Sequence, residues 1–432
     1  MLDKNFYSGN IKSITMKLKN RKENTNKEVE NIVSVILNDI KEKGDEALIK
    51  YCEKFDGFRI KNIDDIIATN EEIEEAIENV GEDFIRILNR TKEQIIEFHK
   101  NQIQNSWSIY RENGMIMGQI VRPIKRVAIY VPGGTAAYPS TVLMNAIPAK
   151  LAGVKEIIML TPVKENGKVP DIILAAAKIC GINTIYKIGG AQAIGTVAYG
   201  TEYIKKVDKI VGPGNIYVAT AKKVCYGLVD IDMIAGPSEV LVIADTSANP
   251  KYIAADLMSQ AEHDKLASAI LITTDEKIVD RVNLEIEKQI KNLKRRDIIE
   301  YSIKNYGTSI IVKNLDEAFE VSNEIAPEHL EILTENPMRE LPKVKNAGSI
   351  FLGENSPEPL GDYMSGTNHV LPTSGTARFY SALGVYDFVK YSSYSYCPKD
   401  VLRSFKDDVI KFANFEGLDA HANSIKVRFE EE

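Results

Sequence analysis

The sequence predicts an α/β protein built from two doubly wound, incompletely Rossmann-like lobes, with an N-terminal arm and a helical C-terminal tail. Three observations carry this. Short apolar runs alternate strictly with helical patterns from Arg126 to Tyr226 and again from Glu239 to Leu352, which argues parallel sheets. Glycine-rich loops fall where strands give way to helices. The composition, 44% apolar and 27% charged over 432 residues, is that of an ordinary globular chain with enough length for two or three domains.

Residues 1–25 read as an extended polar arm, and the Lys-rich tract Lys12–Lys27 as a solvated face. Val29, Ile32, Val33, Ile36 and Ile40 have helical spacing over Asn26–Lys43, and Gly44 ends that helix. A second helix covers Asp45–Phe55. Thr69 and Glu72 make a capping box for a longer one that reaches about Gln102, with a break at Gly81. His99 then falls at a surface or helix end. From Arg126 the order is strand Val127–Val131, helix Ser140–Leu151, strand Glu156–Leu160, helix Asp171–Cys180, strand Thr184–Ile188, helix Ala191–Tyr199, strand Lys209–Val211 and helix Ile216–Tyr226. The pattern resumes with strand Glu239–Ala244, helix Asn249–Asp264, strand Ser268–Thr273, helix Asp275–Leu293, strand Ser309–Val312, helix Asp316–Ile325 and strand Ser349–Leu352. Lys399–Ala413 is a helix in the tail, followed by a loop carrying Glu416, Asp419 and His421. The domain borders expected are therefore 1–25 for the arm, 26–126 with 238–390 for a first lobe, 127–237 for a second, and 391–432 for the tail.

A net charge of -7 argues against nucleic acid as the main partner. No apolar run is long enough to span a membrane and the N-terminus carries no secretory h-region, so a cytoplasmic protein is expected. Four scattered cysteines, Cys52, Cys180, Cys225 and Cys397, suit a reducing compartment; Cys180 and Cys225 read as small core residues.

Three glycine loops share one layout: Tyr130-Val131-Pro132-Gly133-Gly134, Gly189-Gly190-Ala191-Gln192 and Gly212-Pro213-Gly214-Asn215. Any one of them is a tight turn; three in one lobe favour a phosphate-bearing ligand at helix N-termini. None is G-x-G-x-x-G or a P-loop, so nucleotide type stays open.

Five histidines occur, and four of them fall in acid- and glycine-rich clusters. Gln260 and His263 are three apart at the end of the Asn249–Asp264 helix and share a face there. Ala326-Pro327-Glu328-His329-Leu330 presents an acid–base pair from a proline-fixed corner. Gly361–His369, a loop by composition, carries Asp362 and His369, and the tail adds Glu416 and His421. Together they argue a polar metal site whose best ligands are Gln260, His263, Asp362 and His421, a mixed N/O set suited to Zn²⁺ and tolerant of Mn²⁺ or Co²⁺. Residue chemistry alone admits an NAD-linked oxidation, a zinc hydrolase or aldolase using Glu328 on a bound water, and a two-lobed binding protein.

Seven motifs in order, the three glycine loops with Ala235-Gly236-Pro237-Ser238-Glu239, Ser259-Gln260-Ala261-Glu262-His263-Asp264, Ala326-Pro327-Glu328-His329-Leu330 and Asn368-His369-Val370-Leu371-Pro372-Thr373, resemble the histidinol dehydrogenase family from about residue 25 to 428. The resemblance implies oxidation of L-histidinol through L-histidinal to L-histidine, the last steps of histidine biosynthesis, with two NAD⁺ reduced at one site. It implies one zinc per subunit on Gln260, His263, Asp362 and His421, and Glu328 and His329 as the catalytic pair. It assigns Ser238, His369 and Glu416 to the substrate, beside the metal-holding residues and His329, and Tyr130, Gln192 and Asn215 to NAD. It also implies a homodimer with intertwined tails, so that Glu416 and His421 reach the other subunit's site.

Overall fold

The computed structural model describes residues 1–12, 16, 26–57, 59–133, 137–163 and 166–430. Gly134 of the first glycine loop and residues 13–15 and 17–25 of the expected arm lie outside the described residues. In chain order the elements are β1 (Lys4–Phe6), α1 (Asn26–Lys43), α2 (Asp45–Phe55), α3 (Asn70–His99), β2 (Trp107–Tyr110), β3 (Ile116–Pro123), β4 (Arg126–Tyr130), α4 (Pro139–Leu151), β5 (Glu156–Leu160), α5 (Asp171–Ile179), β6 (Thr184–Tyr186), α6 (Gly190–Tyr199), β7 (Lys209–Val211), α7 (Ile216–Cys225) and β8 (Asp230–Ile231). They continue with β9 (Glu239–Ala244), α8 (Pro250–Ala261), β10 (Ser268–Thr273), α9 (Glu276–Gln289), α10 (Arg296–Tyr306), β11 (Thr308–Ile311), α11 (Leu315–Ile325), β12 (His329–Leu333), α12 (Pro337–Glu340), β13 (Ser349–Leu352), α13 (Glu358–Tyr363), β14 (Val389–Tyr396), α14 (Lys399–Phe415) and α15 (Asp419–Lys426).

The chain divides into two compact units, Met1–Gln102 with Ile124–Phe388, and Ile103–Pro123 with Val389–Glu432. The first is the mixed α/β body that the alternation predicts. It holds a six-stranded parallel sheet in the order β1-β11-β10-β9-β12-β13 and a five-stranded parallel sheet in the order β6-β5-β4-β7-β8. β4, β9, β10 and β12 are buried along their whole length, as strands covered by helices on both faces must be.

Local signals set most boundaries. Thr69 and Glu72 close the capping box on α3, and Gly81 (φ 76, ψ 159) kinks that helix. Asn249 caps α8 by accepting the Lys251 N–H, with Pro250 in the first turn. The helices of residues 26–99, expected to join the 238–390 segment, bury their apolar faces on the five-stranded sheet: α1 and α2 through Leu37, Ile40 and Leu48 in the cluster with Ile194 and Val197, and α3 through Ile73, Leu88 and Ile95 in the cluster with Leu143 and Ile173. His99 does end α3, but it is buried, with Nδ1 2.8 Å from Gln102 Oε1. The first residues are less of an arm than expected, since β1 extends the six-stranded sheet and Leu2 and Ile11 are buried. α10 and β12 had no expected counterpart, because Ile298–Ile303 and Leu330–Leu333 are short and carry charges that hide their period.

The second unit is an antiparallel sheet in the order β14-β3-β2, with α14 and α15. Gly118 lets its strands close up, because a Cβ there would lie 2.4 Å from the Trp107 carbonyl and 2.6 Å from the Tyr394 ring. Val401, Ala413, Ala422 and Phe429 are buried, whereas Trp107, Tyr110, Phe412 and Phe415 are exposed. The tail is thus helical as expected, but its preceding strands and the helix α15 under His421 were not foreseen. Among the described residues no helix is long and apolar enough to cross a membrane.

Candidate active site

β9 and β12 run side by side in register, His329 opposite Val240. That register gathers Ser238, Glu239, Glu328 and His329 at the amino-terminal edge of the six-stranded sheet. α8 runs back from the far end of β9 and returns Gln260 to this edge. The helix stops at Ala261, one turn earlier than expected, so His263 sits in the turn before β10 with its N–H on the Gln260 carbonyl at 3.2 Å. α11 ends at Ala326 in the left-handed region (φ 54), and Pro327 then delivers Glu328 and His329 into the mouth of β12. Both side chains are buried.

The main chain of Glu239 holds both. Its N–H donates to Glu328 Oε2 at 2.8 Å, and its carbonyl lies 3.0 Å from His329 Nδ1. A carbonyl only accepts, so Nδ1 carries the hydrogen and Nε2 presents a lone pair. That Nε2 is buried without a hydrogen-bond partner and stands 3.7 Å from Glu358 Oε1. Burial holds the His329 imidazole down at about 4, against the pull of Asp362, so the ring is a neutral base. Burial pushes Glu328 well above the usual carboxylate range, and the neighbouring Glu239, Asp362 and Glu358 carboxylates add to it. Glu358 is raised to about 9, chiefly by burial and then by Asp362, and burial lowers His369.

These groups fit a cation. His329, Glu358 and Asp362 offer ligand atoms within 4.8 Å of one another. Gln260 Oε1, His329 Nε2 and Glu358 Oε1 are buried and unpartnered. No lysine or arginine ion-pairs with Glu328, Glu358 or Asp362 among the described residues. Buried acceptors with no donor are costly, and a divalent ion satisfies several at once. The carbonyl ends of α8 and α11 point at the same edge and favour positive charge.

Of the ligands expected from the sequence, Asp362 belongs to this group, though it sits on the short helix α13 and not in a loop. Gln260 contributes the unpartnered oxygen, and Ser259 Oγ beside it lies 3.5 Å from Glu358 Oε2. His263 is near enough to depress the His329 and His369 imidazoles. Ser238 and His369 are partly buried, and the His369 loop is pinned by Asn368, whose Nδ2 donates to the Met144 carbonyl at 2.8 Å. Glu416, at the end of α14, and His421, on α15, are exposed residues of the second unit.

Three carboxylates escaped the sequence reading, which looked for acids beside histidines. Glu358 is one. Glu331, fully buried in β12, accepts the Glu358 N–H at 2.8 Å and hydrogen-bonds Asp256. A glutamate between Leu330 and Ile332 in a buried strand was the available signal.

The glycine loops stand at the carboxyl ends of β4, β6 and β7, with Tyr130, Gln192 and Asn215 on them. At the starts of α6 and α7 several amides are already held by protein oxygens. Tyr130 Oη accepts the Gly190 N–H at 3.1 Å, and Asp56 Oδ2 accepts from Gly189 N at 3.4 Å and Gln192 Nε2 at 3.3 Å. Asn215 Oδ1 caps α7, accepting from Tyr217 and Val218. The Gly189, Gly190, Tyr217 and Val218 amides at the starts of α6 and α7 are thus held from within by Asp56, Tyr130 and Asn215. Of the three side chains on these loops, Tyr130 and Gln192 are buried and Asn215 is exposed.

Cys180 and Cys225 are buried as expected, Cys52 is buried too, and burial raises all three thiols, Cys180 to about 12 and Cys225 to about 11.

A family model described as histidinol dehydrogenase matches residues 19–429. The histidinol dehydrogenase of Lactococcus lactis subsp. lactis (strain IL1403) is 66% identical over 431 residues, covering 100% of both chains. That of Clostridium acetobutylicum is 58% identical over 412 residues, 95% of each. The crystal structure of histidinol dehydrogenase from Elizabethkingia anophelis superposes with a TM-score of 0.93 at 40% identity, over 100% of this chain and 98% of that one.

Proposed function

This chain belongs to the histidinol dehydrogenase family of oxidoreductases, and on that premise we propose that it oxidises L-histidinol through L-histidinal to L-histidine with two NAD⁺, closing histidine biosynthesis in the cytoplasm. The observation that carries the reading is the neutral, buried His329 whose unpartnered Nε2 faces Glu358, with Asp362 in the same group of ligand atoms.

Gln260, His263, Asp362 and the partner's His421 hold zinc in this reading, with Glu358 beside them. Zinc bound there would supply an anchor for the substrate's imidazole and amine, and NAD⁺, which Tyr130, Gln192 and Asn215 would hold, would supply the hydride acceptor for each oxidation. Ser238, His369 and the partner's Glu416 line the substrate. His329 Nε2 takes the hydroxyl proton as hydride leaves the carbinol carbon. The aldehyde is then hydrated. Glu328 takes the proton from the attacking water, and His329 again accepts a proton as the second hydride departs. No thiol serves, since three of the cysteines are buried with raised thiols.

The homodimer proposal is supported by the exposed Trp107, Tyr110, Phe412 and Phe415 of the second unit, apolar area that a second copy would cover. Zinc analysis with NADH counted per histidinol consumed tests the whole reading. One metal per subunit and two NADH per substrate are expected; a single NADH, or full turnover after the metal is removed, overturns it.

A further inference from the structure

Lys222 has no role in the chemistry above, yet it is among the largest fully buried side chains of the described structure. It stands on α7 and reaches back to the third glycine loop. Its ammonium donates to the Gly212 carbonyl at 2.8 Å and pairs with Asp232. The other oxygen of Asp232 accepts the Gly212 N–H at 2.7 Å, and the Met233 N–H donates to Oδ1 at 2.6 Å. The two side chains are 3% and 1% exposed.

One ion pair thus uses both polar groups of Gly212. Gly212 sits at φ 108, and a Cβ on it would lie 2.1 Å from the Tyr130 carbonyl oxygen, so the loop is pressed onto the end of β4. Desolvating two charges is expensive, and an apolar pair of equal volume would fill the space at no less stability. What an apolar pair cannot do is grip a carbonyl and an amide of the same residue. From Gly212 the chain reaches Asn215 in three residues; from Asp232 it reaches Ser238 in six.

We propose that Lys222 and Asp232 are positioning residues of the dinucleotide site: they fix Gly212, and through it Asn215, without touching the ligand. This rests on the reading of the glycine loops as the NAD site.

The test uses the zinc-loaded protein with Lys222→Met and with the charge-neutral Lys222→Met/Asp232→Asn double variant, both checked by thermal melting. NADH affinity, read from nicotinamide fluorescence, and KM for NAD⁺ are each expected to weaken on the order of tenfold. KM for L-histidinol and zinc content should move by less than about twofold. A folded variant with unchanged NADH affinity overturns the proposal, as does an equal rise in both KM values. If neither variant folds, the pair is structural only and the proposal falls. Failure of the parent protein itself to bind NADH would instead sink the dinucleotide reading on which it rests.

Discussion

Glu239 and His329 meet through a carbonyl and an Nδ1–H 3.0 Å apart. This contact decides which imidazole nitrogen carries the proton. The hydrogen on Nδ1 turns Nε2 into an acceptor, and burial keeps the ring neutral. The same residue's N–H restrains Glu328. Main-chain groups of one strand therefore set both members of the acid–base pair, and no side-chain substitution at Glu239 would remove either bond directly.

His329→Ala should lower both oxidations by roughly a thousandfold, the size of a lost general base. Glu328→Gln should spare histidinol oxidation and slow histidinal oxidation, because only the second half-reaction consumes water. Steady-state NADH formation from each substrate separates the two. A Glu328→Gln enzyme that oxidises histidinal at the parental rate removes Glu328 from water activation.

Glu358→Ala and His421→Ala should each weaken zinc retention, roughly ten- to hundredfold for a group at or beside the ligands. Metal content after dialysis against a chelator gives the answer. Unchanged zinc in His421→Ala takes the tail out of the ligand set. Chelation should stop turnover of both substrates while leaving NADH binding in place.

Asp256 provides a pH signature away from the acid–base pair. Burial raises its carboxyl to about 6 from an ordinary 3.8, and it hydrogen-bonds Glu331. The folded state thus binds the extra proton between those values, so this contribution to stability is present below 3.8 and lost as pH rises to about 6. Asp256→Asn keeps the hydrogen bond and cannot ionise. Its melting temperature should gain on the parent's as pH rises from about 4 to about 6. A constant difference across that window would show that Asp256 ionises normally.

Alkylation of the native protein should leave histidinal oxidation intact. Cys52, Cys180 and Cys225 are buried with raised thiols, and Cys397 lies in the second unit before α14. Retained activity after iodoacetamide with labelling confined to Cys397 is expected; loss that tracks modification of any buried thiol would contradict the water route.

Sequence pattern alone determined the alternating strands and helices, the caps at Thr69 and Asn249, the break at Gly81 and the burial of Cys180 and Cys225. Each depends on chemistry within a few residues of itself, where spacing and propensity are direct evidence. It also singled out Glu328, His329 and Asp362, because a proline-fixed corner and an acid beside glycines mark themselves locally. Only the tertiary structure decided that Glu358, twenty-nine residues past His329, faces its Nε2, that Glu331 supports Glu358 from inside a strand, and that Asp56 holds the Gly189 amide from a distant helix end. Those pairings are set by strand register and by the direction in which α8 returns to the sheet edge. Parallel pairing joins residues far apart in the chain, and the free energy that selects one register over another comes from burying whole faces together.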